Sequence, residues 1–308
     1  MPLTVSKAAS HEGPVYDRID EALRDFPAYQ RFRRGEMSRA EFTTWLAEDA
    51  PRPEDIGLDA DQLNLSSRFP IDERAYVTAA LEELVGAGLL PRAEYPDAEF
   101  DELRRAVAER FAHGGRSTYI FPEEARLLFA LAHIVAPARA VFLGSYYGYW
   151  AVWAVPGIAA AGGTATLVDI DPEVSATARA NLSALGMAGS VDVVVDDAIA
   201  YASNVSDVDL AVLDAEGPKE DAREELRDKA IYGPITAAVT PNLRPGGLLV
   251  AHNVLLENLS DNRYFAGRID DNRRQFARFE THLREGYDAR CLLSTTEGIG
   301  VYRRKAAA

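Results

Sequence analysis

The pattern of apolar positions divides the chain into two parts that meet at the Gly114-Gly115 pair. After this pair, seven apolar runs of about five residues alternate with stretches whose apolar residues recur at helical spacing. Such alternation predicts a parallel sheet that is buried on both faces and covered by helices. Only the short sequence TEG joins the last two runs, so we expect a hairpin and one antiparallel strand. The predicted fold class is therefore α/β, with a doubly wound, seven-stranded and mostly parallel sheet.

The part before the glycine pair is predicted to be helical. From about residue 15 to residue 50 the apolar residues recur at helical spacing, and Ser38 with Glu41 forms a capping-box pattern. An acidic stretch with three prolines then predicts a connecting loop, and two further helices follow it. We therefore predict an N-terminal helical domain over residues 1–114, serving as a lid or in dimerisation, and a second domain over residues 115–308.

A run without any charged residue extends from Ala140 to Gly163, and it has two interpretations. Its length and the spacing of Gly144 and Gly148 suit a membrane helix. The same glycines also suit a strand that turns sharply into a helix around a ligand. The run is followed by a series of strands and helices without a second span, and its flanks lack basic clusters. These features favour the strand, turn and helix, and they predict no contact with a membrane.

The excess of acidic residues argues against two classes of binding partner. The 308 residues include 33 Lys and Arg against 48 Asp and Glu, which gives a formal net charge of −15. Binding to nucleic acid or to an anionic membrane surface needs basic patches, so this balance argues against both. Cys291 is the only cysteine, which excludes an internal disulfide and a cysteine metal cluster. A reducing cytoplasm is the predicted location.

The predicted turn at Gly144–Gly148, taken together with an acid further along the chain, indicates a cofactor site. Asp169 follows Gly148 by 21 residues and ends the second apolar run. In nucleotide-binding βαβ units, an acid at about this distance holds the ribose hydroxyls of an adenosine-type ligand. The spacing therefore predicts an adenosine-containing cofactor above the first two strands.

At these residues the sequence resembles the class I S-adenosylmethionine (SAM)-dependent methyltransferases. Within that class, it is similar to the branch of catechol and caffeoyl-CoA O-methyltransferases, over roughly residues 115–305. The resemblance rests on six segments in the family's order: FLGSYYGYW, LVDIDPEVSATARANL, VVVDDAIAYA, DLAVLDAEG, LRPGGLLVAHNVLLEN and GIGVYRRK. It implies a Rossmann-like methyltransferase fold, SAM as cofactor and a small-molecule substrate. We also expect a homodimer.

Carried over residue by residue, the resemblance implies a cofactor site and the roles of its members. Asp169 holds the ribose, Asp197 and the Ala198 amide lie beside the adenine, and the glycine turn lines the rest. A sulfonium cation is also stabilised by nearby carboxylates and aromatic faces. The implied cofactor-binding residues are Gly144, Ser145, Tyr146, Gly148, Asp169, Asp197 and Ala198.

This branch also carries a divalent-metal site, which the present sequence alters. Asp214 and Asn253 match two of its ligands, but His252 stands where the family has an aspartate. Imidazole is a poor ligand for magnesium and a good one for iron, manganese or zinc, and it is also a general base near neutral pH. Three interpretations of His252 stay open. It is a general base, a ligand of a metal with Asp214 and Asn253, or a structural residue at a strand end.

Two more positions depart from the family. The segment that reads D-A-D-K in the family is Asp214-Ala-Glu-Gly217 here, so the lysine that assists deprotonation is missing. We predict that Lys219, two residues further on, substitutes for it. Phe142 replaces an acid that the family places before the first glycine. The predicted catalytic residues are His252, Asp214 and Lys219.

These observations predict an enzyme that transfers the methyl group of SAM to an oxygen, or alternatively a nitrogen, of a small molecule. A place in secondary metabolism is part of this expectation. Because chemical positions of the family have changed, two alternatives remain. The fold has been adapted to another reaction, or the protein binds the cofactor without catalysis.

Overall fold

A computed structural model describes residues 12–254 and 262–306 of the chain. The strands are β1 (Gly13–Pro14), β2 (Ser117–Thr118), β3 (Arg139–Leu143), β4 (Thr164–Asp169), β5 (Val191–Val195), β6 (Val208–Leu213), β7 (Leu243–His252), β8 (Tyr287–Leu293) and β9 (Ile299–Arg304). The helices of the N-terminal part are α1 (Val15–Leu23), α2 (Pro27–Arg33), α3 (Arg39–Glu48), α4 (Ala60–Leu65), α5 (Glu73–Gly86) and α6 (Asp97–Arg110). The later helices are α7 (Pro122–Val135), α8 (Ala151–Ala160), α9 (Pro172–Ala184), α10 (Ala198–Asn204), α11 (Tyr232–Val239), α12 (Ala266–Gln275) and α13 (Ala277–Gly286).

Seven strands form one sheet in the order β5-β4-β3-β6-β7-β9-β8. Strands β3 to β7 are mutually parallel, and β9 lies antiparallel between β7 and β8. The predicted doubly wound, mostly parallel sheet and its terminal hairpin are therefore confirmed. The chain leaves β3 towards β4 and β5, then crosses back to β6. This reversal opens a crevice at the carboxyl ends of β3 and β6, where open α/β sheets bind their ligands.

The central strand β3 shows why the apolar runs carry almost no polar residues. Successive side chains of a strand point to opposite faces, and both faces here are covered. Ala140 and Phe142 pack in one core cluster with α7, α8 and α9. Val141 and Leu143 pack in a second cluster with α10, α11 and α13. Each face of the strand is thus buried under helices, as the sequence pattern requires.

The N-terminal helices pack in two ways. Leu81 of α5 and Phe100 of α6 belong to the same core cluster as one face of the sheet. Helices α1 to α4 form a separate cluster that also includes Phe121 and Phe265. Residues before and after the Gly114-Gly115 pair therefore share one core. The division into domains at this pair stays a prediction.

Local details of the N-terminal part agree with the sequence in one place and differ in another. The capping box of Ser38 and Glu41 is present at the start of α3. The stretch expected to be a loop contains the short helix α4, which Asp59 and Gln62 cap in the same reciprocal way. The loop prediction missed this helix because six residues are too few to show a helical period.

The charge-free run is divided between three elements. It forms most of β3, the following turn and α8, which has ten residues and contains Pro156. None of the helices in residues 12–254 and 262–306 combines the length and apolar character needed to cross a bilayer. The strand, turn and helix predicted for this run are therefore present.

Candidate active site

The turn between β3 and α8 brings backbone very close to the neighbouring strand end. Gly144 has φ +80°, and a Cβ atom added there would lie 2.4 Å from the Cα of Ala215. Glycine is required at this position because a side chain would meet that backbone. The next residues turn back over β4, where the Tyr146 backbone N–H donates to Asp169 Oδ2 at 2.7 Å. The turn and the acid of the second strand are thus joined by a direct contact.

Asp169 is held in place from two sides. Its Oδ1 accepts from the backbone N–H of Asp171 at 3.0 Å, while Oδ2 accepts from Tyr146. Burial raises the pKa of this carboxyl, although these backbone donors act against the rise. A fixed carboxylate at the end of β4 suits the hydroxyl groups of a ribose.

Asp197 and Ala198 lie at the start of α10, on the next strand connection. Asp197 Oδ1 accepts from the backbone N–H groups of Ile199 and Ala200, both at 2.9 Å. This carboxylate therefore caps the helix as well as facing the crevice. The cap explains the local position of Asp197 without any ligand.

An open cavity of about 790 Å³ occupies the crevice above the sheet. Eight of the residues predicted for the site line it: Gly144, Tyr146, Asp169, Asp197, Ala198, Asp214, His252 and Asn253. Ser145 instead lines a small adjacent pocket, and its hydroxyl is buried without a hydrogen-bond partner. Gly148 packs against Ala178 under the turn. Predicted cofactor-binding residues and the predicted catalytic residues Asp214 and His252 thus line one cavity.

His252 lies at the end of β7 between two carboxylates. Its Nδ1 is 3.2 Å from Asp214 Oδ2, and its Nε2 is 3.1 Å from Glu124 Oε2. The side chain is 1% exposed, and its ring packs on Trp150 at 4.8 Å between centroids. Burial by itself would lower the pKa of the imidazole, but Asp214 and Glu124 outweigh it and raise the pKa to about 10. The histidine is therefore an imidazolium at neutral pH.

Asp214 follows β6 and contacts a second cation. Lys229 Nζ lies 3.3 Å from Asp214 Oδ1 and donates to the Ala215 carbonyl at 3.1 Å and to Tyr232 Oη at 3.4 Å. Burial would raise the pKa of the Asp214 carboxyl, but the charges of His252 and Lys229 lower it. Asp214 is thus an ionised carboxylate at the cavity wall.

The lysine beside Asp214 is not the one predicted from the sequence. Lys219 is exposed and lies outside the residues that line the cavity. A backbone bridge between Gly217 and Asp228 folds the intervening loop back and returns Lys229 to the strand end. The sequence gives no signal for this return, because the loop between them has no periodic pattern.

Glu124 is a second residue that the sequence did not identify. It lies in the first turn of α7, yet it is fully buried. Thr295 Oγ1 and the Glu297 backbone N–H donate to its Oε1, at 2.7 and 2.9 Å. The Phe121 backbone N–H donates to its Oε2 at 3.0 Å. Acids at a helix start are usually exposed, so sequence alone favoured a surface position.

The predicted metal ligands do not fit a metal in this arrangement. A carboxylate only accepts hydrogen bonds, so each ring nitrogen of His252 carries a proton and neither has a free lone pair. Asn253 donates from Nδ2 to Glu297 at 3.4 Å. Among residues 12–254 and 262–306, no group of three or more His, Cys, Asp or Glu side chains is arranged to hold a metal ion.

Glu123 gives a prediction for the dependence of stability on pH. Burial raises the pKa of its carboxyl to about 7, from 4.5, and Glu124 adds to the rise. Between these two pKa values, the folded state keeps this proton while the unfolded state has lost it. The free energy of unfolding therefore falls as the pH rises through this range. From about pH 5.5 to about pH 8.5, we expect the wild type to lose about 2 kcal/mol relative to Glu123→Gln.

Urea unfolding of both proteins at the two pH values measures this difference. The glutamine keeps an oxygen for the two donors of Thr296, its backbone N–H and its hydroxyl, and it does not titrate. A difference between the two proteins that stays constant with pH would contradict the raised pKa.

A comparison with protein families matches the part of the chain that contains most of this site. Residues 141–254 match a family model described as a methyltransferase domain. This part of the chain is similar to a methyltransferase domain. The matched residues run from β3 to just beyond β7, so they include the glycine turn, Asp169, Asp214 and His252. The methyltransferase predicted from the sequence motifs is confirmed by this match.

Solved structures similar to the chain share little sequence with it. A methyltransferase from Geobacter sulfurreducens is 22% identical, with a TM-score of 0.46 over 76% of this chain and 97% of that chain. An O-methyltransferase from Bacillus cereus in complex with SAH is 17% identical, with a TM-score of 0.47 over 76% and 100%. An O-methyltransferase from Streptomyces achromogenes, involved in tomaymycin synthesis and solved with SAM, is 17% identical, with a TM-score of 0.47 over 76% and 99%. No curated protein is similar enough to match the chain.

Proposed function

We propose that the protein is a SAM-dependent methyltransferase that acts on an oxygen of a small molecule, with a nitrogen acceptor as the alternative. The methyltransferase domain supports the reaction type. One observation carries the rest of the proposal. Asp169, fixed by the Tyr146 amide, and the ionised Asp214 line the same cavity at the carboxyl ends of the strands. A homodimer and a cytoplasmic location remain predictions from the sequence.

The residues at the β3 and β4 end of the cavity fit SAM chemically. SAM supplies a methyl group that is activated by a sulfonium cation. The fixed carboxylate of Asp169 suits the ribose hydroxyls, and Ala198 lies where the adenine is expected. The Ser145 hydroxyl is buried and has no partner, so it is available to a polar group of the cofactor. A wall rich in carboxylates also favours a cationic ligand.

At the other end of the cavity, Asp214 is the group we assign to the acceptor. Its side chain is 25% exposed, while His252 behind it is 1% exposed. Asp214 would accept the hydrogen bond of the acceptor hydroxyl and then its proton, as the hydroxyl oxygen formed a bond to the methyl carbon of bound SAM and the bond from that carbon to sulfur broke, leaving S-adenosylhomocysteine. Because His252 donates from both nitrogens, its role is to hold Asp214 rather than to take the proton. The protein mainly contributes alignment of donor and acceptor.

Calorimetric titration with SAM tests this proposal. We expect the wild type to bind SAM and Asp169→Asn to bind it about 10- to 100-fold more weakly, because a hydrogen bond to a charged group is lost. The asparagine keeps an oxygen for one of the two backbone donors, and circular dichroism checks that the variant is folded. Asp192→Asn is the control, since Asp192 is an exposed acid on the neighbouring β5 outside the cavity.

The control variant should bind SAM as tightly as the wild type. If the folded wild type does not bind SAM, the proposed function is wrong. If Asp169→Asn and Asp192→Asn bind equally well, Asp169 does not hold the cofactor.

A further inference from the structure

Two internal cations surround the carboxylate that faces the acceptor. Lys229 Nζ lies 3.3 Å from Asp214 Oδ1, and His252 Nδ1 lies 3.2 Å from Asp214 Oδ2. Each oxygen of the carboxylate therefore has its own positively charged partner. Lys229 is 15% exposed and His252 is 1% exposed, so water screens these pairs weakly. The region around Asp214 already holds two positive charges from the protein.

A second carboxylate fixes the charge of the histidine. Glu124 Oε2 lies 3.1 Å from His252 Nε2, on the side opposite to Asp214. Glu124 cannot easily turn away, because three further donors hold its two oxygens, from Phe121, Thr295 and Glu297. With an acceptor-only group at each nitrogen, the ring must carry two protons. The geometry of these three side chains thus defines an imidazolium.

The charges of this cluster are balanced. Asp214 and Glu124 contribute two negative charges, and His252 and Lys229 contribute two positive charges. A divalent cation at Asp214 would lie beside both protein cations and would find no lone pair on the imidazole. It would also have to displace contacts that are within 3.3 Å at present.

We propose that His252 and Lys229 take the place of a divalent metal in this protein, so that its methyl transfer does not depend on a metal ion. The inference rests on the proposed function. Asp214 contacts the acceptor, whereas His252, Lys229 and Glu124 are positioning residues that neutralise and orient it. His252, which stands where the family has an aspartate, is thus one of two internal cations beside Asp214, and Lys229 is the other.

Metal binding to the unmodified protein is the direct test. We expect titration with Mn²⁺ alone, followed by electron paramagnetic resonance, to show no stoichiometric binding to the wild type. We also expect the wild type to bind SAM with the same affinity, within about twofold, in excess Mg²⁺ and in excess chelator. Stoichiometric Mn²⁺ binding that Asp214→Asn removes would overturn the inference.

Two variants sharpen this test. In Lys229→Met and in His252→Asp, one internal cation is removed, so we expect Mn²⁺ affinity to rise by at least about tenfold. Lys219→Met is the matched control, because this exposed lysine lies outside the cavity and its loss should leave Mn²⁺ affinity unchanged. Thermal unfolding shows whether each variant is folded, and Lys229→Met gives the answer if His252→Asp is not.

The outcomes separate the two proposals. A folded wild type that does not bind SAM contradicts the proposed function. A wild type that binds SAM but loses at least about tenfold in affinity with chelator contradicts only the inference drawn here. An equal response of Lys219→Met and Lys229→Met to Mn²⁺ would also contradict it.

Discussion

Replacement of Gly144 by alanine is expected to destabilise the protein by about 3 kcal/mol or more and to abolish SAM binding. The added Cβ would lie 2.4 Å from Ala215 Cα and 2.7 Å from its backbone nitrogen. Neither atom can move without shifting the end of β6, which carries Asp214. The positive φ of +80° adds a second cost for any residue with a Cβ. Urea unfolding and calorimetric titration with SAM measure the two effects.

Gly162→Ala separates these two costs. Gly162 has φ +72°, and an added Cβ would have no neighbour within 4 Å. This variant should lose only about 1 kcal/mol, from backbone strain, and should bind SAM normally. Equal destabilisation of the two variants would show that the close approach to Ala215 does not contribute to the destabilisation by Gly144→Ala.

Arg126→Met is expected to destabilise the protein by about 3 kcal/mol. Arg126 lies in α7 with its side chain 2% exposed, and its guanidinium stacks over Phe100 at 4.2 Å. It pairs with Glu73 at 2.5 Å, with Asp101 at 3.0 Å and also with Asp97. Methionine fills similar space, but it leaves three neighbouring carboxylates without their buried partner. Chemical unfolding monitored by circular dichroism measures the loss.

Arg74→Met is the matched control for this experiment. Arg74 pairs with two of the same acids, Asp97 and Asp101, but its side chain is 57% exposed. An exposed pair contributes less than about 1 kcal/mol, so this variant should remain close to the wild type. Because the acids belong to α5 and α6, a large effect of Arg126→Met alone would show that this contact stabilises the packing of these helices on α7. Equal effects of both variants would contradict the role of burial.

The fold was predictable because its signals are local. A strand segment that is buried on both faces must be apolar, and residues 140–143 of β3 and residues 210–213 of β6 show this directly. The glycine turn and Asp169 are also close in the chain, on the neighbouring strands β3 and β4. Their contact through the Tyr146 amide follows from this adjacency. The short helix α4 was missed because it is only six residues long, which is too short to show a helical period.

The side chains around Asp214 were less predictable because they come from distant segments of the chain. The sequence identified Asp214 and His252, which end the neighbouring strands β6 and β7. Glu124 precedes His252 by 128 residues, so no spacing rule connects them. Lys229, rather than the predicted Lys219, lies beside Asp214 because of a bridge between Gly217 and Asp228, which a single sequence does not reveal.

By itself, the sequence determined the parallel sheet, the glycine turn and the polar residues at the strand ends, because each depends on residue type and local spacing. Only the tertiary structure decided the charge state of those residues. The charge of His252 depends on burial and on two carboxylates within 3.2 Å, and these come from α7 and from the end of β6. A pKa reflects everything that packs around a group, so it is fixed when distant segments meet.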